Sequence, residues 1–204
     1  MSIRLYLETN FILSISTGRD SLAFELIDNP PANLEIAIPS ICCMEALSVL
    51  EAEKKRRRIL SNQYMVESQQ LARDRISTNS EALAQILEQA KINNNKVSKD
   101  RENLLRQTLN RLSDCAELLP LTHDILKWNV ENFTIISEPT DNLILACILA
   151  DARLYPENPK ALLSGNSQDF QSESVKQYLA AADITHYFKI TQSFLGWFNT
   201  QAGL

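Results

Sequence analysis

The chain is 204 residues long, 45% hydrophobic and 22% charged, a composition that suits one domain with or without an insertion and leaves little room for two. Its four glycines, at positions 18, 165, 196 and 203, are too scattered to build a Walker or dinucleotide phosphate loop, so those nucleotide folds are excluded. The net charge of -5 is unevenly spread: residues 51–115 hold 13 Lys and Arg against 9 Asp and Glu, so an acidic body carries a basic segment.

In chain order, residues 3–7 are β-favouring and predict a short strand, followed by the polar break Glu8-Thr9-Asn10 and a helix from Phe11. Residues 21–27 predict a second helix, stopped by Asp28-Asn29-Pro30-Pro31, and residues 34–38 a second strand, stopped by Pro39. This β-α-β order implies a parallel sheet with right-handed crossovers. Ser40 is suited to cap a helix running from Ile41 to about Ile59, with a break at Ser61-Asn62. Two further helices are expected over 63–92 and 99–114, separated near Asn93-Asn94-Asn95. Ile76, Leu83, Ile86 and Leu87, then Leu104, Leu105, Leu109 and Leu112, are spaced for one buried stripe per helix, which reads as a helical hairpin inserted at about 51–115. A weak strand at 117–120, helices at 122–132 and 140–153, a buried strand at 161–163, a strand within 184–190 and a closing helix complete the chain.

No apolar run approaches the roughly 18 residues of a bilayer span and the first residues show no targeting pattern, so a cytoplasmic protein without membrane contact is expected. Cys42, Cys43, Cys115 and Cys147 form no C-x-x-C pair and lie far in sequence from His123 and His186. Buried, reduced thiols and structural histidines are therefore expected rather than a zinc site or disulfides. Trp128, Trp197, Tyr187 and Phe188 read as packing residues more than as base-stacking platforms.

The chemistry lies in the acids. Glu8 directly follows the first strand, and in open α/β sheets ligands bind at the carboxyl ends of strands. Between Ile41 and Leu50 only Glu45 and Ser48 are polar, and a buried carboxylate at Glu45 needs a cation or an arginine partner, the alternative being a partly exposed acid. Asp141 opens a helix whose same-face neighbours are Ile144, Leu145 and Ile148, a position that also suits simple capping. Ser164-Gly165-Asn166 and Asp169-Phe170 form a turn after a buried strand, where Asn166 and Asp169 can converge on the edge that holds Glu8. Oxygen donors without His or Cys suit a hard cation, Mg²⁺ or Mn²⁺, and hence phosphoryl chemistry. The run Lys54-Lys55-Arg56-Arg57-Arg58 supplies five consecutive cations able to neutralise phosphates, or simply a solvated helix face.

In order and context these elements resemble the PIN-domain nucleases over roughly residues 1–50 and 116–204. Leu7-Glu8-Thr9-Asn10 is similar to the family's opening strand and Asp-Thr-Asn motif, Glu45 to its glutamate on the third helix, and Asp141-Asn142-Leu143 to its helix-borne aspartate. Ser164-Gly165-Asn166 with Asp169-Phe170 is similar to its Thr-x-Asp turn. The resemblance implies a three-layer α/β/α PIN-like fold and an endoribonuclease dependent on Mg²⁺ or Mn²⁺. The catalytic residues would be Glu8, Glu45, Asp141 and Asp169, with Asn166 as a further metal ligand. Thr9, Asn10 and Ser164 would orient them; Lys54, Lys55, Arg56, Arg57 and Arg58 lie in the insertion outside the resemblance, and by their charge are the candidates for gripping the RNA backbone. Membership would also imply a homodimer and a toxin paired with an antitoxin or another protein partner. Glu8 stands where the family has Asp, Asn166 where it often has an acid, and Asp169 one residue later than the commonest spacing. These departures define the alternative, a non-catalytic PIN-like binding or scaffold module.

Overall fold

Five short apolar runs form strands in the computed structural model, which describes residues 2–202: β1 (Ile3–Leu7), β2 (Leu34–Pro39), β3 (Ala116–Leu119), β4 (Lys160–Leu163) and β5 (Ile184–Phe188). Every pairing is parallel, in the order β3-β2-β1-β4-β5. The expected α/β class and parallel sheet are therefore present. All residues of β1 and β4 are buried, so both sheet faces are covered, as parallel strands require.

Nine helices lie among the described residues: α1 (Thr9–Ser16), α2 (Ser21–Asp28), α3 (Ser40–Leu71), α4 (Thr78–Cys115), α5 (His123–Glu131), α6 (Pro139–Ala152), α7 (Ser167–Phe170), α8 (Glu173–Ala181) and α9 (Thr191–Ala202). None of them is long and apolar enough to cross a membrane. Asp20, Thr122 and Ser172 cap α2, α5 and α8 by accepting hydrogen bonds from Ala23, Ile125 and Val175 N–H groups, which satisfies otherwise orphaned donors. α7 and α8 were not foreseen in the stretch after Gly165.

The chain divides into two compact units, one holding residues up to Ala46 and from Leu105 onward, the other Leu47–Leu104. The first contains the sheet and its apolar core, in which Leu5, Leu7, Ile38, Ile144, Leu145, Leu162 and Phe170 are buried. At the amino ends of its strands the buried Arg4 is held by Asp151 at 2.7 Å, Glu117 at 2.7 Å and Glu35 at 3.4 Å, with its guanidinium over the Tyr155 ring. His186, Phe188, Phe194 and Trp197 cluster together, and Trp128 meets Tyr178 edge-on, so the aromatic residues pack as expected. The four cysteines are free, with Cys42 and Cys147 buried and Cys43 and Cys115 only half-buried.

The second unit is a helical hairpin over 47–104, which begins slightly before the expected 51–115 insertion and ends well before it. Neither predicted break exists: α3 passes through Ser61-Asn62 and α4 through Asn93-Asn94-Asn95. Ser61, Asn94 and Asn95 join the two arms. Asn94 Nδ2 donates to the Arg57 carbonyl and to Ser61 Oγ, each at 2.8 Å, and Ser61 Oγ donates to Asn95 Oδ1 at 2.8 Å. Ile76, Leu83 and Ile86 are exposed rather than part of a buried stripe; Leu105 and Leu112, in the first unit, are buried as expected.

Candidate active site

β1 and β4 are neighbours, yet the chain proceeds from β1 to β2 on one side and from β4 to β5 on the other, so the strand order reverses between them. At such a switch point the following segments diverge and leave a crevice at the carboxyl ends of the strands. Glu8 is the first residue after β1, and Ser164, Gly165 and Asn166 follow β4.

Glu8 bridges the two strand ends. As the N-cap of α1 it accepts the Asn10 N–H on Oε2 at 2.7 Å, and it accepts the Gly165 N–H on Oε1 at 3.1 Å. The side chain is 1% exposed. Burial pushes its carboxyl up to about 7, against the opposing effect of these N–H donors and the Ser164 hydroxyl, with a smaller upward push from Asp141. Thr9 begins α1 instead of lying in a loop, because the preceding carboxylate caps the helix.

The buried Thr9 hydroxyl donates to Glu45 Oε2, and Glu45 stands near the start of α3, which leaves β2 directly. Of the alternatives for Glu45 the structure has the partly exposed acid: the residue is half-buried, and Met44, Leu47 and Val49 are exposed around it, so this stretch does not seal into a core and no arginine partner is needed. Asp141, in the first turn of α6, is half-buried, and its carboxyl is pushed up to about 6 by burial first, then by the like charges of Glu45, Asp169 and Glu138. Asn166 caps the short α7. Its Nδ2 donates to Asp141 Oδ2 at 2.9 Å and to Asp169 Oδ2 at 2.8 Å, while its Oδ1 accepts the Asp169 N–H at 3.4 Å. The amide expected to lend an oxygen thus presents its NH₂ group between two carboxylates. Ser164 Oγ accepts the Asn166 N–H at 3.1 Å, and Tyr187 fixes the Ser164 carbonyl at 2.7 Å.

Compared with protein-family models, characterised proteins and solved structures, the chain matches none.

The structure therefore gathers Glu8, Thr9, Glu45, Asp141, Ser164, Asn166 and Asp169 into one electrostatically coupled edge. Asn10 contributes its backbone N–H there, and its side chain lines a cavity of about 60 Å³ together with Ser14, Asp20, Gly165, Lys189 and Thr191. Lys189, an exposed cation just past β5, carried no sequence signal because a lone lysine after a strand is unremarkable without the neighbours that the fold supplies. Lys54, Arg56 and Arg57 of the basic run are engaged within the hairpin by Glu51, Glu53, Asn94 and Glu102. His123 and His186 take no part in the acidic edge.

The donor chemistry matches a hard divalent cation, with carboxylate oxygens and no thiol or imidazole. Glu45, Asp141 and Asp169 each keep one carboxylate oxygen without a hydrogen-bond donor among the described residues, whereas both Glu8 oxygens accept backbone N–H groups. As the side chains stand, no three His, Cys, Asp or Glu among the described residues are grouped closely enough to share one ion.

Proposed function

We propose that the chain is a PIN-like endoribonuclease that uses Mg²⁺ or Mn²⁺ to hydrolyse RNA phosphodiester bonds. The observation that carries this reading is the set of three donor-free carboxylate oxygens, on Glu45, Asp141 and Asp169, gathered at the strand-order reversal. Such a concentration of like charge is relieved by a proton or by a cation; the upward push on Asp141 comes from burial first and from this repulsion second. Glu45, Asp141 and Asp169 would hold the metal once their side chains turn toward a common point, since as they stand they are not grouped closely enough to share one ion. Bound there, it would supply activated water and stabilise the charge that builds on the phosphate.

The remaining residues position these three. Thr9 fixes the rotamer of Glu45 through its hydroxyl, and Asn166 sets the separation of Asp141 and Asp169. Glu8 joins the segments that follow β1 and β4, so its place in this reading is to hold the crevice in shape rather than to bind the ion. Lys189 beside Asn10 and Gly165 offers a cation to an incoming phosphate.

One observation favours the second reading, a non-catalytic PIN-like binding module. The Asn166 NH₂ group already serves Asp141 and Asp169 as an internal donor, partly replacing a cation. Calorimetric titration with Mn²⁺ on wild type and Asp141→Asn, followed by incubation of both with structured RNA, separates the two. The nuclease reading expects saturable binding and cleavage in wild type and a loss of both in the variant, with affinity down by about tenfold or more. Absence of binding at millimolar Mn²⁺ would establish the module reading instead.

A further inference from the structure

The five-cation run does not act as a unit. Lys54 reaches Glu51 at 3.1 Å and Glu102 at 3.3 Å, and Arg57 reaches Glu53 at 2.9 Å and Asn94 Oδ1 at 2.9 Å, while Arg101 also engages Glu53. These contacts hold the arms of the hairpin together. Lys55 and Arg58, three positions apart on α3, and Lys99 on α4 have no hydrogen-bond or ion-pair partner among the described residues, and all three line a groove of about 940 Å³ between the arms. Lys54, Arg57 and Lys91 complete its cationic lining. Its two carboxylates, Glu51 and Glu102, are both engaged by Lys54.

We infer that this groove binds the phosphodiester backbone of a nucleic-acid strand without reading its bases. Three cations unneutralised by the fold face one open volume, flanked by the polar side chains of Asn62 and Ser98. An acidic peptide would normally anchor through apolar side chains, and the groove offers only Ala52 and Met65 for that purpose. No aromatic side chain lines it, so base stacking is absent and backbone charge supplies the affinity. The inference shares with the proposed endoribonuclease only the class of partner and requires no metal.

The test is fluorescence anisotropy on the full chain in EDTA, with labelled oligouridine and matching oligodeoxythymidine of about 20 nucleotides, over a series of salt concentrations. The variants are Lys55→Ala/Arg58→Ala/Lys99→Ala, the single Lys99→Glu, and Arg56→Ala, whose side chain is 78% exposed and lies outside the groove lining. RNA and DNA are expected to bind comparably. The triple variant should weaken both by about tenfold or more and make the salt dependence shallower by about 2 in log-log slope, from about 0.7 per phosphate contact on single strands. Lys99→Glu should weaken both, and Arg56→Ala should change little. Unaltered affinity in the triple variant at wild-type helicity, or an equal loss in Arg56→Ala, would overturn the proposal. So would polyglutamate displacing the oligomers as readily as unlabelled RNA does, which would mark an acidic-polypeptide surface. If the triple variant loses helicity, Lys99→Glu decides on the same criteria. Mn²⁺ titration does not enter the readout, so failure here leaves the acidic site to its own experiment.

Discussion

Glu8 and Asp141 are carboxyls that the fold makes reluctant to ionise, the first pushed up to about 7 from 4.5 and the second to about 6 from 3.8. Burial is the leading cause for both. Because each folded-state value lies above the unfolded one, the folded metal-free protein binds protons more tightly across the interval. Stability is therefore greatest below the unfolded values and is lost as pH rises through the folded ones. For Glu8 the full span between pH 4.5 and 7 corresponds to about 3 kcal/mol. Glu8→Gln should flatten most of this dependence, as read from urea midpoints of wild type and variant across that interval; an unchanged slope would show that Glu8 is not its source. Glu45, Asp141 and Asp169 were legible in sequence because an acid within apolar periodicity or at a strand end stands out. The donor role of Asn166 was not, since the direction an amide faces depends on partners 25 residues away in Asp141 and 3 away in Asp169.

At the scale of elements, strands and capped helices were readable from local composition, and the hairpin was readable in kind but not in continuity. Ser61 and Asn93-Asn94-Asn95 have the chemistry of helix ends, because their side chains compete for backbone groups. In the hairpin that same capacity is turned toward the opposite arm. Asn94 is 8% exposed; its Nδ2 donates to the Arg57 carbonyl and Ser61 Oγ on the other helix, and its Oδ1 accepts from the Arg57 guanidinium. Asn94→Ala leaves the Arg57 guanidinium with one partner fewer and Ser61 without its donor, at a cost of about 2 kcal/mol. Amide hydrogen exchange across residues 53–65 and 90–101 should accelerate in that variant while the β1 and β4 amides keep their protection. Equal acceleration in the sheet would mean that Asn94 acts on the whole chain.

For the whole molecule, the two units differ in charge. Residues 47–104 carry 11 Lys and Arg against 8 Asp and Glu, and the remainder 9 against 17. Composition showed this imbalance from the outset, whereas its division into paired and open cations required the tertiary arrangement. The connection between α3 and α4 is the short stretch 72–77, in which Arg73 and Arg75 are exposed. Limited trypsin treatment should cut first at Arg73 or Arg75, because the exposed cations of 54–58 lie within continuous helix. Mass spectrometry of the first two fragments checks this, and a first cut within 54–58 would show that α3 opens more readily than its contacts indicate.

The strand-to-strand bridge made by Glu8 also sets the length of the acid that this position accepts. Aspartate differs from this glutamate only by the loss of one methylene. An aspartate would still cap α1, as a short acid does at many helix starts. Its carboxylate, drawn back by about 1.5 Å, would fall short of the Gly165 amide that now lies 3.1 Å from Oε1. A buried N–H would then lose its acceptor, at a cost of about 1 to 3 kcal/mol. Shortening this acid by one carbon is therefore uphill in energy unless the segment at Gly165 moves closer to β1.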